Sequence, residues 1–130
     1  MTLTTALITN PGDLDDLGAE LAAAPAIGLD TEFMRERTYR AELCLLQTAT
    51  PSRATCVDPL ALGALAPLAT ALGTGGPVKI LHAARQDLEV LYPVCGALSG
   101  IYDTQVAAAL AGMAPQIGYA DLVQRLLGTR

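Results

Sequence analysis

Apolar and acidic residues alternate through one early segment of the chain, and this is its clearest period. Ile27, Leu29 and Phe33 are apolar, whereas Asp30 and Glu32 are acidic. A period of two residues is that of a β-strand, so the pattern predicts a strand here. The two carboxylates are then expected on the same face of the strand, roughly 7 Å apart at Cα.

Strands and helices are predicted in alternation along the rest of the chain. Strands are expected at residues 3–8, 42–48, 54–57, 78–82 and 98–102, and helices after Asn10-Pro11 and at residues 60–72, 85–92, 104–113 and 119–127. Asp103 is expected to cap the helix that follows it, because an Asp side chain accepts the free amide groups of a first turn. Three strands joined by tight turns, followed by helix–strand alternation, predict an α/β domain with a mixed sheet.

Composition and charge limit the classes of function that fit this chain. It has 130 residues, of which 52% are hydrophobic, and a formal net charge of −5. Its length is that of a single domain, and its mean hydropathy of +0.39 is that of a globular protein. The acidic balance argues against binding nucleic acid through bulk electrostatics. Three of the eight cations, Arg35, Arg37 and Arg40, nevertheless follow the acidic strand, so a local positive patch is expected beside it.

The sequence shows no export or membrane signal. The first charged side chain is Asp13, and the most apolar run, at residues 60–72, is broken by Gly and Pro. A membrane-spanning helix requires about 20 apolar residues. Cys44, Cys56 and Cys95 are odd in number and widely spaced, so we expect free, buried thiols in a reducing cytoplasm and no membrane partner.

Asp30 and Glu32 have two interpretations. Two carboxylates fixed side by side in an apolar strand repel each other and are costly to desolvate, and a divalent cation between them relieves both effects. Hard cations such as Mg²⁺ prefer carboxylate oxygens, so the pair is a candidate metal site. The alternative is a strand whose polar face points to water.

A second candidate group lies where the strand at 78–82 meets the next helix. Asp87 is expected in the first turn of that helix, at the rim of the sheet where α/β proteins bind ligands. The alternative is that Asp87 complements the helix dipole, and for an isolated aspartate this alternative is favoured. For His82, a hydrogen-bonded histidine at a strand end is favoured over a metal ligand. Arg85 is either a phosphate contact or a solvated cation at the helix start.

Five segments, read in order, resemble the 3′–5′ exonuclease domain of ribonuclease D. They are L-D-T-E-F-M-R-E-R-T-Y, L-C-L-L-Q, L-H-A-A-R-Q-D-L-E-V-L, Y-D-T-Q-V-A-A and G-Y-A-D-L-V, and they extend over about residues 27–127. The resemblance implies a ribonuclease H-like three-layer fold with a mixed sheet flanked by helices. It also implies hydrolysis of RNA 3′ ends, such as those of tRNA-like precursors, with two divalent ions, Mg²⁺ or Mn²⁺, held by four carboxylates.

The resemblance also implies roles for individual residues. Asp30 and Glu32 match the first motif, with Asp30 as the bridging ligand, and Asp87 matches the acid of the second motif. These three would be the catalytic and metal-binding residues. Further residues in or beside the same motifs would bind the substrate: Thr31, Phe33, Arg35, Arg37, His82 and Arg85.

The fourth carboxylate of the family lies in a Tyr-x-x-x-Asp segment on a later helix. No tyrosine of this chain has an aspartate four residues on, since Leu43, Gly96, Val106 and Val123 stand at that offset. The expected unit is therefore a partial exonuclease domain over residues 1–130, incomplete at its C-terminal end. Alone it is expected to be a poor or inactive exonuclease.

Two alternatives remain open. In one, the chain is a catalytically incomplete fragment that acts as an RNA-binding or interaction module. In the other, His82 and Asp87 form the H-x-x-x-x-D pattern of sister exonucleases, in which the histidine is the base, and Asp58 supplies the acid of the second motif. Because the domain is shortened, the last helix is expected to be uncovered and to favour self-association through three leucines: Leu122, Leu126 and Leu127.

Overall fold

The computed structural model describes residues 4–36 and 39–129, and a six-stranded mixed sheet lies at its centre. The strands are β1 (Thr4–Ile8), β2 (Ala26–Met34), β3 (Glu42–Ala49), β4 (Arg53–Val57), β5 (Val78–Leu81) and β6 (Ile101–Asp103). The helices are α1 (Pro11–Ala23), α2 (Pro59–Leu62), α3 (Ala69–Leu72), α4 (Arg85–Cys95), α5 (Thr104–Leu110) and α6 (Tyr119–Leu127), and a 3₁₀ turn at Ala66–Leu68 precedes α3. The predicted α/β class with a mixed sheet is confirmed.

The strand order is β1-β4-β3-β2-β5-β6, which places β2 and β3 in the middle of the sheet. β2, β3 and β4 form the predicted antiparallel meander. β1 lies parallel to β4, and β5 and β6 continue the sheet parallel to β2. β5 pairs with β2 only as far as Gly28. The later half of β2, which carries the two acids, is therefore paired with β3 alone.

One face of the sheet carries the main hydrophobic core. Leu14, Leu17 and Leu21 recur at helical spacing along α1 and are at most 2% exposed. They belong to the same core as Ile27 and Leu29 of β2, together with residues of α3 and α4. Each fully buried leucine contributes roughly 1.5–3 kcal/mol to stability, so this row holds α1 against the sheet.

The opposite face of the sheet is open over part of its width. Ile80 and Tyr102 pair in register with Gly28 through β5 and β6, and all three therefore point to one face. Ile80 and Tyr102 are 39% and 52% exposed. Because side chains two residues apart on a strand share a face, Asp30 also belongs to this open face.

The structure divides the helix that was predicted at residues 60–72. α2 ends just before Gly63, which has a φ of 77° and donates its N–H to the carbonyl oxygen of Pro59 at 2.8 Å. Pro67 then lies in the 3₁₀ turn that precedes α3. The prediction of one continuous helix is wrong, because Gly63 and Pro67 interrupt the helix in a segment that is otherwise rich in helix-forming residues.

α6 packs against α5 and forms a second, smaller core. Leu122 is 6% exposed and contacts a cluster that contains Ala108 and Ile117. The expectation that Leu122 is exposed is wrong, because α6 folds back towards α5. Leu126 and Leu127 are 61% and 71% exposed, so self-association through this helix stays a prediction.

The sequence predicted no membrane span, from its short and broken apolar run, and free, buried thiols, from its cysteines. In the part of the chain that the structure describes, no helix is long and apolar enough to cross a membrane. Cys44, Cys56 and Cys95 are free, as expected, but they are half-buried rather than buried. Burial raises the pKa of the Cys95 thiol to about 11, so this thiol stays protonated at neutral pH.

Gly18 marks the closest approach of α1 to the 3₁₀ turn, and we expect this position to reject a side chain. A Cβ atom there would lie 2.4 Å from the carbonyl oxygen of Pro67. Gly18→Ala should lower the free energy of unfolding by roughly 1–3 kcal/mol, the usual effect of overpacking, although Ala favours a helix more than Gly does. Urea unfolding followed by circular dichroism measures the change.

Gly12→Ala in the same helix is the matched control. Its Cβ atom would meet only Oδ1 of Asn10, at 3.5 Å. We expect this variant to be as stable as the parent or slightly more so. Equal destabilisation by the two variants would contradict the close approach at Gly18.

Candidate active site

Asp30 and Glu32 lie on the open face of β2, and both are exposed, whereas Leu29 and Thr31 beside them are buried. The expected arrangement of the two acids on one face is therefore present. Oδ1 of Asp30 accepts a hydrogen bond from the backbone N–H of Thr31 at 3.0 Å. Because β5 stops pairing with β2 at Gly28, no paired strand covers this side of the acids.

Asp87 approaches β2 from the core side. It lies in the first turn of α4 and is 7% exposed. Its carboxylate accepts a hydrogen bond from the hydroxyl group of Thr31, the residue between the two exposed acids. Burial raises the pKa of Asp87, the hydrogen bond from Thr31 opposes this rise, and the negative charge of Asp30 adds to it. Asp87 therefore contacts the residue between Asp30 and Glu32, but from the opposite side of β2.

Asp103 holds the turn that leads from β5 into α4. Its two oxygens accept hydrogen bonds from the N–H groups of Ala83 at 3.0 Å and Ala84 at 2.8 Å. Ala83 has a φ of 56°, a conformation that costs a residue with a side chain about 1–3 kcal/mol unless its surroundings impose it. Burial disfavours the ionised form of Asp103, but the surrounding N–H groups outweigh this and hold its pKa below the usual value.

The same carboxylate begins α5, where it accepts hydrogen bonds from the N–H groups of Gln105 and Val106. This capping role of Asp103 was predicted and is confirmed. Its second role, at the turn before α4, was missed. No local sequence pattern predicts this second role, because Asp103 lies about twenty residues after its partners Ala83 and Ala84.

Both ring nitrogens of His82 are engaged within the protein. Nε2 donates to the carbonyl oxygen of Ile117 at 2.8 Å, and Nδ1 lies 2.9 Å from Oγ1 of Thr104. The ring also meets the ring of Tyr119 edge-on, with 5.8 Å between centroids. These contacts favour the structural interpretation of His82, which joins the end of β5 to α5 and to the segment before α6.

The interpretation of His82 and Asp87 as an H-x-x-x-x-D pair finds no support in the geometry. It requires Asp58, but that carboxylate caps α2 by accepting hydrogen bonds from the N–H groups of Leu60 and Ala61. Asp58 also follows β4, and β3 separates β4 from β2 in the sheet. The acid is therefore placed for a helix start and not beside the other carboxylates.

The remaining predicted substrate residues surround the end of β2. Phe33 is partly buried against the main core. Arg35 follows β2 and lines a groove. The side chain of Arg85 is 92% exposed and forms a salt bridge with Glu89, with 3.5 Å between Nε and Oε1. Arg37 lies outside the described residues.

Two grooves flank the site. The open-face groove, about 600 Å³ in volume, runs from Asp30 past Gly28 to Thr104 and Tyr119. The second groove, about 590 Å³ in volume, lies between the β2–β3 connection and α4, and we call it the arginine–tyrosine groove. Its main side chains are Arg35, Tyr39, Arg40, Glu89, Tyr92 and Pro93.

The acids offer suitable ligands for a divalent cation. Carboxylate oxygens are the donors that Mg²⁺ and Mn²⁺ prefer, and Asp30 and Glu32 present them on one exposed face. Within residues 4–36 and 39–129, no group of three or more His, Cys, Asp or Glu side chains is already arranged around a metal position. Asp30 and Glu32 therefore suit a divalent cation. Asp87 bonds Thr31 instead and does not form one group of ligands with them.

A family model described as 3′–5′ exonuclease matches residues 5–130. The chain therefore belongs to the 3′–5′ exonuclease family. Within this family it is similar to ribonuclease D, as the five segments indicated. It is 48% identical to the ribonuclease D of Gluconacetobacter diazotrophicus over 124 residues, which are 94% of this chain and 32% of that protein. The chain thus spans about a third of the length of the curated relatives that it matches.

Solved structures show the same fold. Ribonuclease D of Escherichia coli, an exoribonuclease involved in structured RNA processing, superposes with a TM-score of 0.90 at 36% identity, over 99% of this chain and 34% of that one. The expected ribonuclease H-like fold is thereby confirmed.

Two more distant structures carry ligands and are similar in fold alone. One is Trypanosoma brucei RNase D in complex with RNA U12, with a TM-score of 0.83 at 20% identity, over 97% of this chain and 48% of that one. The other is Brucella melitensis NrnC with bound Mg²⁺, with a TM-score of 0.76 at 22% identity, over 99% of this chain and 63% of that one.

The buried carboxylate of Asp87 should lower the stability of the metal-free protein at neutral pH. Because its pKa is raised in the folded state, the folded chain binds the proton more tightly than the unfolded chain. Stability should then fall as the pH rises through the interval between the ordinary and the raised pKa. Asp87→Asn keeps an acceptor for Thr31 without the charge, and we expect it to be more stable than the parent at pH 7.

Urea unfolding in EDTA at pH 7 and again near pH 4 measures this difference. The advantage of Asp87→Asn should shrink at the lower pH, because a larger fraction of the parent carboxyl is then protonated. Asp121→Asn, at an exposed position in the first turn of α6, is the control and should change little. A parent that is more stable than Asp87→Asn at pH 7 would contradict the raised pKa.

Proposed function

We propose that the chain is the catalytic part of a 3′–5′ exoribonuclease that hydrolyses the 3′ ends of structured RNA, such as tRNA precursors. The observation that carries the proposal is that Asp30 and Glu32 share the exposed face of the central strand, while Asp87 bonds Thr31, the residue between them. The membership of the 3′–5′ exonuclease family supports the same reaction. The similarity to E. coli ribonuclease D, which processes structured RNA, supports the substrate class.

Mg²⁺ or Mn²⁺ is the proposed cofactor, and Asp30 and Glu32 are its proposed ligands, with Asp87 as a further ligand. The similar fold of NrnC was solved with bound Mg²⁺. Such cations, when bound, activate water and stabilise a leaving oxygen. In this division of roles Thr31 positions Asp87 through its hydroxyl group, and Asp103 positions the start of α4 through Ala83 and Ala84.

The RNA is proposed to lie across the end of β2. The similar fold of T. brucei RNase D was solved in complex with RNA U12, which supports an RNA ligand. Thr31, Phe33 and Arg35 belong to the strand or directly follow it. To contact a phosphate, Arg85 gives up its salt bridge with Glu89. The free energy lost is small, because an exposed ion pair contributes about 0–1 kcal/mol. Arg37 completes the proposed substrate side, whereas His82 keeps the structural role that its contacts with Thr104 and Ile117 favour. We place this activity in the cytoplasm, where free cysteines persist.

A non-catalytic RNA-binding module is the competing function. It predicts RNA binding that does not depend on a metal ion or on Asp30. The similarity to ribonuclease D over 94% of the chain favours the enzyme. No contact of the described residues favours the module specifically.

Metal binding tests the proposal without relying on turnover. We expect Mn²⁺ binding, measured by electron paramagnetic resonance and calorimetry, to be weakened at least tenfold in Asp30→Asn, because one of two adjacent carboxylates is lost. Asp15→Asn on the exposed side of α1 is the control and should bind Mn²⁺ like the parent. Equal Mn²⁺ binding by the parent and Asp30→Asn would refute the assignment of the site.

RNA hydrolysis tests the direction of the reaction. We expect the parent, with Mg²⁺, to release mononucleotides from the 3′ end of a 5′-labelled RNA, and Asp30→Asn or EDTA to abolish the release. The rate of residues 1–130 alone is expected to be low, because this sequence contains no Tyr-x-x-x-Asp segment. Release that begins at the 5′ end, or that persists in EDTA, would contradict the proposal.

A further inference from the structure

The arginine–tyrosine groove contains an unusual share of the aromatic side chains of this protein. The chain has four tyrosines, one phenylalanine and no tryptophan. Two of the four tyrosines, Tyr39 and Tyr92, line this groove, and they are 96% and 65% exposed. Exposed aromatic rings beside arginines are the usual components of a surface that binds single-stranded nucleic acid, because bases stack on the rings.

The charges of the groove suit a nucleotide better than an apolar partner. Arg35 and Arg40 lie in a protein of net charge −5, so they form a local positive region on an acidic surface. Glu89 lies in the same groove and binds the exposed side chain of Arg85. Its carboxylate opposes the binding of phosphate, which limits the affinity of the groove. Weak binding suits a substrate strand that has to advance after each cleavage.

The position of the groove links it to the proposed site. Arg35 comes three residues after Glu32 on the continuation of β2. Tyr92 comes five residues after Asp87 on α4, which is about 8 Å along the helix axis at 1.5 Å per residue. The groove therefore lies along α4 beyond Asp87 and next to the end of β2, and its lining does not include Asp30, Glu32 or Asp87.

We propose that the arginine–tyrosine groove binds an unpaired nucleotide of the RNA strand on the 5′ side of the scissile bond. Tyr39 and Tyr92 stack on its base, and Arg35 contacts its phosphate. Glu89 keeps this contact weak. The proposal rests on the proposed function, since it assigns the groove to the same substrate that the acids cleave.

RNA binding in EDTA tests the groove separately from the metal site. The probe is a fluorescein-labelled, unstructured single-stranded RNA of eight nucleotides, and fluorescence anisotropy gives its Kd for residues 1–130. We expect Tyr92→Ala to weaken binding roughly tenfold, in the range for loss of one stacked base, and Tyr92→Phe to bind like the parent. Glu89→Gln should tighten binding, because it removes the opposing charge.

Two further measurements distinguish base stacking on Tyr92 from phosphate contacts and from a general loss of RNA affinity. Arg35→Ala should flatten the dependence of log Kd on log salt by about 0.7, the value of one phosphate contact on a single strand. An RNA that lacks its bases should lose the difference between the parent and Tyr92→Ala. Tyr102→Ala is the matched control, because Tyr102 is 52% exposed on β6 and lies outside the groove.

The outcomes distinguish the groove from the catalytic site. Unchanged affinity in Tyr92→Ala, or an equal loss in Tyr102→Ala, overturns the groove as a subsite, while loss of Mn²⁺ binding in Asp30→Asn would still support the enzyme. Tighter binding by Glu89→Gln together with weaker binding by Tyr92→Ala supports the groove. If Asp30→Asn binds Mn²⁺ like the parent while Tyr92→Ala loses RNA, the proposed function fails and the groove stands as an RNA-binding site.

Discussion

The hydrogen bond from the hydroxyl group of Thr31 to the carboxylate of Asp87 joins the central strand to α4, and the candidate site depends on it. It brings a buried acid to the strand segment that carries Asp30 and Glu32. A buried carboxylate is costly unless it is hydrogen-bonded, and here Thr31 supplies that bond. The raised pKa of Asp87 shows that the bond does not fully offset burial and the nearby charge of Asp30.

A second set of polar contacts holds the elements that meet at this point. Asp103 binds the strained turn before α4 and also begins α5, so one carboxylate sets the positions of two helix starts. His82 joins the end of β5 to Thr104 and to the carbonyl oxygen of Ile117. The acids of the site are thus oriented by residues that do not face the proposed substrate. Such support matters because catalysis is sensitive to misplacement on the scale of 1 Å.

Local sequence patterns were sufficient to predict the strand that carries Asp30 and Glu32 and most of the helices. Alternation placed Asp30 and Glu32 on one face, and the capping role of Asp103 followed from its type and position, because these features depend on neighbouring residues. The prediction of one continuous helix at residues 60–72 was wrong, since it gave more weight to the Ala- and Leu-rich composition than to Gly63 and Pro67. The predicted exposure of Leu122 was also wrong, because the burial of a helix face depends on which element packs against it.

The sequence by itself determined the class of protein, the central strand and the identity of its acids. Only the tertiary structure decided that Asp87 reaches β2 from the core side and bonds Thr31. It also decided that Tyr92 of α4 shares a groove with Arg35, which follows β2. The physical reason is that alternation and capping act over a few residues, whereas these arrangements bring together side chains more than fifty residues apart. Their formation depends on how the helices pack on the sheet.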